Sequence, residues 1–151
     1  LVATELAAAK AAVVLDPLVN LPASFDALGA RLDNAARLQR AGVVVVFSMT
    51  GLAPHFAHKV RQSAGNAVAH GMPWDAALAG LTANPAAVFG LGASRGRIET
   101  GMVADLVLWN GDPLEVTSAA DQVWVGGKPM SMRSRQTELL DRYLPQAARQ
   151  P

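Results

Sequence analysis

The hydrophobic positions in the first half of the chain change between helical spacing and short unbroken runs. Apolar residues recur at steps of three and four between Ser24 and Gly42, which predicts a helix capped by Ser24 and ended by Gly42. The runs 12–15 and 43–47 hold alanine, valine, leucine and phenylalanine without polar alternation, which is typical of strands buried on both faces. Strand, helix and strand in this order predict a β-α-β unit.

Further helical patterns lie on either side of this unit. We expect a short helix at 4–11, a second at 56–70 that Gly71 stops, and a third at 73–81. The pair Asn84-Pro85 predicts the start of a fourth, because asparagine can cap backbone N–H groups and proline has none to cap.

The last third of the chain has the alternation and turns of β-structure. Strands are expected at 97–99 and 104–109, and a hairpin at 122–130, where Gly126-Gly127 tolerate the positive φ angles of a tight turn. A terminal helix around 139–144 should end at Pro145. The order is thus α/β first and antiparallel β last.

Composition narrows the class of protein. The 151 residues are 51% hydrophobic with a net charge of +1 and no cysteine, which suits one globular α/β unit and argues against a nucleic-acid partner. The apolar run 6–15 contains Lys10 and is too short to cross a bilayer, so we expect no membrane span. The chain starts at Leu1, which we interpret as a processed or truncated chain. The sequence does not indicate the cellular compartment.

Four motifs, in this order along the chain, indicate a protein family. They are LTANPA at 81–86, GRIETGMVADLVLW at 96–109, GDPL at 111–114 and VWVGGK at 123–128. Together they resemble the C-terminal signature of the amidohydrolase superfamily. The stretch Gly65-Asn66-Ala67-Val68 is similar to the imidazolonepropionase-like branch.

This resemblance implies an α/β fold that consists of three parts. Residues 1–92 would be the last strands and helices of a (β/α)8 TIM-like barrel, with 12–15 as its seventh strand and 43–47 as its eighth. Residues 93–133 would be the C-terminal part of a small β-sandwich, and 134–151 a terminal helix and tail. Active sites of such barrels lie at the carboxyl ends of the strands.

The resemblance also implies a divalent metal, zinc or similar, which activates a bound water. In the superfamily its ligands include histidines, which would lie upstream of Leu1, and an aspartate after the eighth strand. Here Thr50 or Met49 occupies the place of that aspartate. Neither side chain is a carboxylate base, so we predict no catalytic residue and no metal bound by this chain alone.

Other polar residues are weaker candidates. Asp16 and Asn20 follow the presumed seventh strand and are predicted to contact substrate. The histidines could join a metal site, but we expect surface positions for them, and for His70 a helix end, because zinc needs three or four convergent ligands and no further ligand lies nearby in the sequence. Asp105 should bond turn backbone rather than act in catalysis. The histidines meant here are His55, His58 and His70. We expect Trp109 and Trp124 in the sandwich core.

Three functions remain open at this point. The first is a hydrolase of C–N bonds in non-peptide amides, cyclic amides or dipeptide-like small molecules, inactive as this chain alone. The second is a non-catalytic paralogue or partner subunit with a degenerate metal site, and the third a fragment without independent function. Two barrel strands leave unpaired edges, so we expect self-association or pairing with an N-terminal portion.

Overall fold

The computed structural model describes residues 2–19, 22, 24–49 and 54–147. These residues form a mixed α/β fold with a two-stranded and a three-stranded sheet. The helices are α1 Ala3–Ala8, α2 Asn34–Arg40, α3 Val60–Ala69, α4 Trp74–Ala79, α5 Ala83–Val88 and α6 Arg135–Ala147. The strands are β1 Ala12–Leu15, β2 Val44–Phe47, β3 Leu106–Trp109, β4 Ala120–Val125 and β5 Lys128–Pro129, and 3-10 helices occupy Pro17–Val19, Phe25–Ala27 and Pro54–Lys59.

The predicted strand–helix–strand unit is confirmed as β1, α2 and β2. The two strands are parallel and in register from Ala12 opposite Val44 to Leu15 opposite Phe47. Their helix-facing side packs on α2, α3 and α4 around Val45, Ala64 and Ala77. The described residues contain these two parallel strands and no closed barrel.

The helix predicted across 24–42 is shorter than expected. Ser24 precedes only a 3-10 turn and makes no side-chain cap bond, and α2 begins at Asn34. The reason is burial, because Phe25 and Leu28 are 91% and 67% exposed and cannot stabilise a helix by packing. Gly42 ends α2 with a φ of +86°, as predicted.

The α3, α4 and α5 helices follow their predicted positions with two corrections. Residues Pro54–Lys59 form a 3-10 helix, so the α-helical part of 56–70 starts at Val60. Asn84 is not the cap of α5, since Thr82 stands at that place. The Asn84 side chain instead donates from Nδ2 to the Val45 carbonyl of β2 at 2.9 Å.

The antiparallel sheet has the order β3-β4-β5. Its hairpin turns at Gly126 and Gly127, whose φ angles of +57° and +77° confirm the predicted tight turn. The strand predicted at 97–99 is wrong, because Arg97 lies in a bend, Ile98 and Glu99 form no regular structure, and no strand pairs with them. Ile98 is 87% exposed.

Helix α6 lies on the outside of the molecule, and its residues 135–144 are all exposed. It continues through Pro145, so the proline does not end it as predicted; the cost is one backbone hydrogen bond, since proline lacks an N–H group. Among the described residues, no helix is long and apolar enough to cross a membrane.

Candidate active-site edge

The carboxyl ends of β1 and β2 lie side by side. The Ser48 amide donates to the Leu15 carbonyl at 3.0 Å, which continues the parallel ladder one step past both strands. Asp16 follows β1 at this edge, and Ser48 and Met49 follow β2. The structure thus brings the predicted substrate residue Asp16 near the position where the family's aspartate is expected.

Asp16 is held in a fixed orientation. Its side chain is buried, with 7% of the residue exposed, and Oδ1 accepts the Leu18 amide at 3.0 Å. This bond spans the first turn of the 3-10 helix Pro17–Val19, as in an Asx turn. Its predicted contact with substrate stays a prediction.

The other positions predicted at this edge have different outcomes. Met49 is half-buried and carries no ligating oxygen. Asn20 and Thr50 lie outside the described residues, and so does the His55 side chain. Their predicted roles therefore stay predictions.

The described part of the chain does not fit a divalent metal by itself. Within residues 2–19, 22, 24–49 and 54–147, no three His, Cys, Asp or Glu side chains come together as ligands. His58 is exposed on the 3-10 helix before α3. His70 ends α3, where its Nδ1 lies 2.8 Å from the Asn66 carbonyl oxygen.

Asp105 serves the β-hairpin, as its sequence context suggested. Its Oδ1 accepts the Gly126 amide at 2.7 Å, and its Oδ2 pairs with Arg95. The carboxylate thereby fixes the β4–β5 turn against the start of β3. Both oxygens have structural partners.

Sequence reasoning missed the contacts that join the two sheets. They converge on residues 110–118, which we call the docking loop. Arg61 on α3 donates from Nη1 to the carbonyls of Pro113 at 2.9 Å and Glu115 at 2.5 Å, and from Nη2 to that of Ser118 at 2.9 Å. Its guanidinium also lies 4.9 Å from the centre of the Trp109 ring, a cation–π distance.

Both tryptophans predicted in the sandwich core are only half-buried. Trp109 is the aromatic surface on which Arg61 rests. The core prediction is therefore wrong for Trp109, because this ring stacks with the Arg61 guanidinium at the junction of the two sheets.

The GDPL motif lies within the docking loop. Asp112 accepts from Trp74 Nε1 on α4 at 3.0 and 2.9 Å, and from the Leu114 amide at 2.8 Å. Leu114 reaches the core beside α3, so close that a Cβ on Gly65 would stand 2.3 Å from its carbonyl oxygen. The glycine in the sequence GNAV was the available signal for this close approach.

An ion pair marks the start of α2, on another part of the surface. Arg31 Nε lies 2.8 Å from Asp33 Oδ1. This hydrogen bond holds the pKa of the Asp33 carboxyl below its ordinary value.

Known proteins are similar to this chain in sequence. A sequence profile of the amidohydrolase family matches residues 10–130. Amidohydrolase tasK of Hapsidospora irregularis is 47% identical over 58 residues, which are 38% of this chain and 6% of that protein.

Solved structures are similar over most of the chain. An amidohydrolase from Thermotoga maritima superposes with a TM-score of 0.76 at 28% identity, covering 87% of this chain and 34% of that one. A zinc-bound adenosine deaminase from Xanthomonas campestris superposes with a TM-score of 0.59 at 23% identity, covering 97% and 39%, a likeness of fold. The chain thus spans between a third and two fifths of these two solved proteins and a smaller share of tasK.

Proposed function

Because the chain belongs to the amidohydrolase family, we propose that it is the C-terminal portion of a metal-dependent hydrolase of C–N bonds. Its substrates would be small non-peptide amides, cyclic amides or dipeptide-like molecules, as in the imidazolonepropionase-like branch. The observation that carries this proposal is the family match across 10–130, which includes both sheets and the docking loop.

The edge formed by β1 and β2 supports this assignment. If these strands are the seventh and eighth of a (β/α)8 barrel, their carboxyl ends lie at its catalytic face. Asp16 stands there with its carboxylate fixed by the Leu18 amide. A carboxylate with a fixed orientation can align a polar substrate through hydrogen bonds at little entropic cost.

The metal ligands would come from the polypeptide preceding this chain, because the described residues do not supply a set. A bound divalent metal supplies a nucleophilic water and polarises the scissile carbonyl. The contribution of this chain would be a rigid wall of the site and the docking of the sandwich strands onto it.

A specific observation favours a second candidate, a non-catalytic paralogue or partner subunit. The segment after β2 reads Ser48-Met49-Thr50, without the carboxylate that the family's chemistry uses there. In this reading the scaffold persists while the metal site has degenerated.

The Asp16→Asn variant tests the hydrolase proposal in the full-length protein. Asparagine still accepts the Leu18 amide but removes the charge, so kcat/KM on N-acyl amino acids, dipeptides or cyclic amides should fall about tenfold or more in a variant that remains folded. The exposed Asp26→Asn is the matched control and should leave kcat/KM unchanged. Absence of any hydrolysis by the native protein loaded with Zn, Mn or Fe would favour the non-catalytic candidate.

Thr50→Asp tests the placement of the missing carboxylate. A carboxylate is a much better ligand than a hydroxyl, so metal retention after dialysis should rise. Met49→Asp is the neighbouring control, which identifies the position that faces the metal. Unchanged retention in both variants would contradict the alignment of this segment with the family's aspartate.

A further inference from the structure

The connection between β1 and α2 is long and starts at the candidate active-site edge. It leaves β1 at Asp16 and ends where α2 begins. The structure describes residues 16–19, 22 and 24–33 of this connection. Its described part contains two 3-10 helices, Pro17–Val19 and Phe25–Ala27, and no strand. Long connections with so little regular structure are uncommon in compact domains, and many of them carry binding or catalytic residues.

Large apolar side chains of this connection are exposed instead of buried. Phe25 is 91% exposed and Leu28 67%, and Leu18, directly beside the first turn, is 44% exposed. They belong neither to the hydrophobic core nor to the partly buried residues that pack against it. Within the part of the chain that the structure describes, these side chains therefore do not stabilise the fold by core packing.

Phe25 and Leu28 lie on the same side of their turn. The Leu28 amide donates to the Phe25 carbonyl at 3.3 Å, which is the i to i+3 bond of a 3-10 helix. Side chains three residues apart are nearly eclipsed in this geometry. Asp26, between them, projects about a third of a turn away. We call Phe25 and Leu28 the apolar tip of the connection.

The base of the same connection is polar. Asp16 is buried there, and its Oδ1 accepts the Leu18 amide at 3.0 Å. Small-molecule sites combine mostly apolar and aromatic walls with a few polar groups in fixed positions. This connection carries both kinds of group, and it begins at the edge where β1 and β2 end.

We propose that the apolar tip binds an aromatic or other apolar group of the amide substrate and thereby sets substrate specificity. The proposal rests on the proposed function, which places the substrate at the carboxyl ends of β1 and β2, where the loops of a barrel surround its active site. Contact between a substrate ring and the tip would remove apolar surface of both from water. A charged substituent at this position would lose hydration without gaining a partner.

Kinetics of the full-length, zinc-loaded protein test the tip with three amides. N-benzoylglycine and N-acetylphenylalanine each carry a ring, on opposite sides of the amide bond, and N-acetylglycine carries none. The native protein should have a higher kcat/KM for at least one ring-bearing amide than for N-acetylglycine. Phe25→Ala should reduce this preference about tenfold, since the lost contact is apolar. Phe25→Tyr, which keeps the ring, should retain the preference.

Phe89→Ala is the matched control for this experiment. Phe89 is also strongly exposed, at 68%, but it follows α5 and lies outside the connection between β1 and α2. Its substitution should leave the preference unchanged. A native protein that prefers neither ring would overturn the proposal. So would a preference that survives in Phe25→Ala, or an equal loss for all three amides, which would indicate that Phe25 only packs against another part of the protein.

Calorimetry separates failure of the tip from failure of the proposed function. If the native protein hydrolyses none of the three amides, the hydrolase proposal fails. Tighter binding of a ring-bearing amide than of N-acetylglycine, lost in Phe25→Ala and kept in Phe25→Tyr, would then still support the tip. Equal binding of the three amides, or no binding of any of them, would overturn it.

Discussion

At the scale of single residues, the junction between the two sheets depends on Gly65 and Arg61, one turn apart on α3. Gly65 lets the Leu114 backbone approach the helix, and Arg61 bonds three carbonyls of the docking loop. One residue acts by the absence of a side chain and the other by a planar group with several donors. Both can be tested by substitution.

Gly65→Ala should destabilise the fold. Alanine gains about 1 kcal/mol of helix propensity, but its Cβ would stand 2.3 Å from a backbone oxygen that cannot rotate away. We expect a net loss of about 2 kcal/mol in the free energy of unfolding, measured in urea. Gly29→Ala, whose Cβ would meet nothing within 4 Å, should change it by less than about 0.5 kcal/mol. Equal effects of the two would contradict the close-approach explanation.

Arg61→Lys should also destabilise, although the charge is kept. Lysine cannot bond three carbonyls from one plane while stacking on Trp109, so about 1–3 kcal/mol should be lost. Urea unfolding measures this loss, followed by tryptophan fluorescence, to which Trp74, Trp109 and Trp124 all contribute. The control is Arg97→Lys, whose partner Glu99 is about half exposed like Arg97 itself, and a loss below about 0.5 kcal/mol is expected there. If Arg61→Lys leaves the free energy of unfolding unchanged, the docking loop is held by its other contacts.

Local residue chemistry was predictable, whereas long-range partners were not. The turn-bonding role of Asp105 follows from its place beside a turn, and the structure confirms it. Asn84 was wrongly predicted as a cap, because its partner Val45 is 39 positions away. The partners of Arg61 are 52 to 57 positions away, and no local pattern indicates them.

At the scale of elements, burial decides where a sequence pattern becomes regular structure. β1, β2 and the β4–β5 hairpin form where predicted, since apolar runs and a double glycine leave few alternatives. The helical spacing of 24–42 yields a helix only from Asn34, where Ala35, Ala36 and Leu38 reach the core. Spacing predicts which face could be buried, but it does not tell whether another element covers that face.

The start of α2 gives a pH-dependent prediction. The bond with Arg31 lowers the folded-state pKa of Asp33 from its ordinary value of 3.8. Its stabilising contribution is therefore present above that value and is lost as pH falls through the lowered pKa. The difference in urea midpoint between the native chain and Asp33→Asn should shrink as pH falls from 6 toward 3.

The Arg31→Gln background is the control for this prediction, because it removes the partner that lowers the pKa. There, the effect of Asp33→Asn should depend less on pH. A difference between native chain and Asp33→Asn that stays constant across this range would contradict the role of the ion pair.

At the scale of the whole molecule, the docking loop joins the parallel pair β1–β2 to the antiparallel sheet. This arrangement places the motifs GNAV and GDPL against each other, with Gly65 facing the Leu114 carbonyl. Family membership was predictable from the four motifs LTANPA, GRIETGMVADLVLW, GDPL and VWVGGK. The described residues contain two parallel strands and do not form a closed barrel. The chain spans 34% of the Thermotoga maritima amidohydrolase.

The chain belongs to the amidohydrolase family, and the central proposal is that it is the scaffold portion of a metal-dependent member whose metal ligands lie elsewhere in the full-length protein. Metal content by mass spectrometry, after zinc loading and gel filtration, tests it most directly. We predict about one or more equivalents of metal in the full-length protein and none retained by residues 1–151 alone. Stoichiometric metal in the 151-residue chain, or none in a full-length protein that hydrolyses amides, would contradict this account.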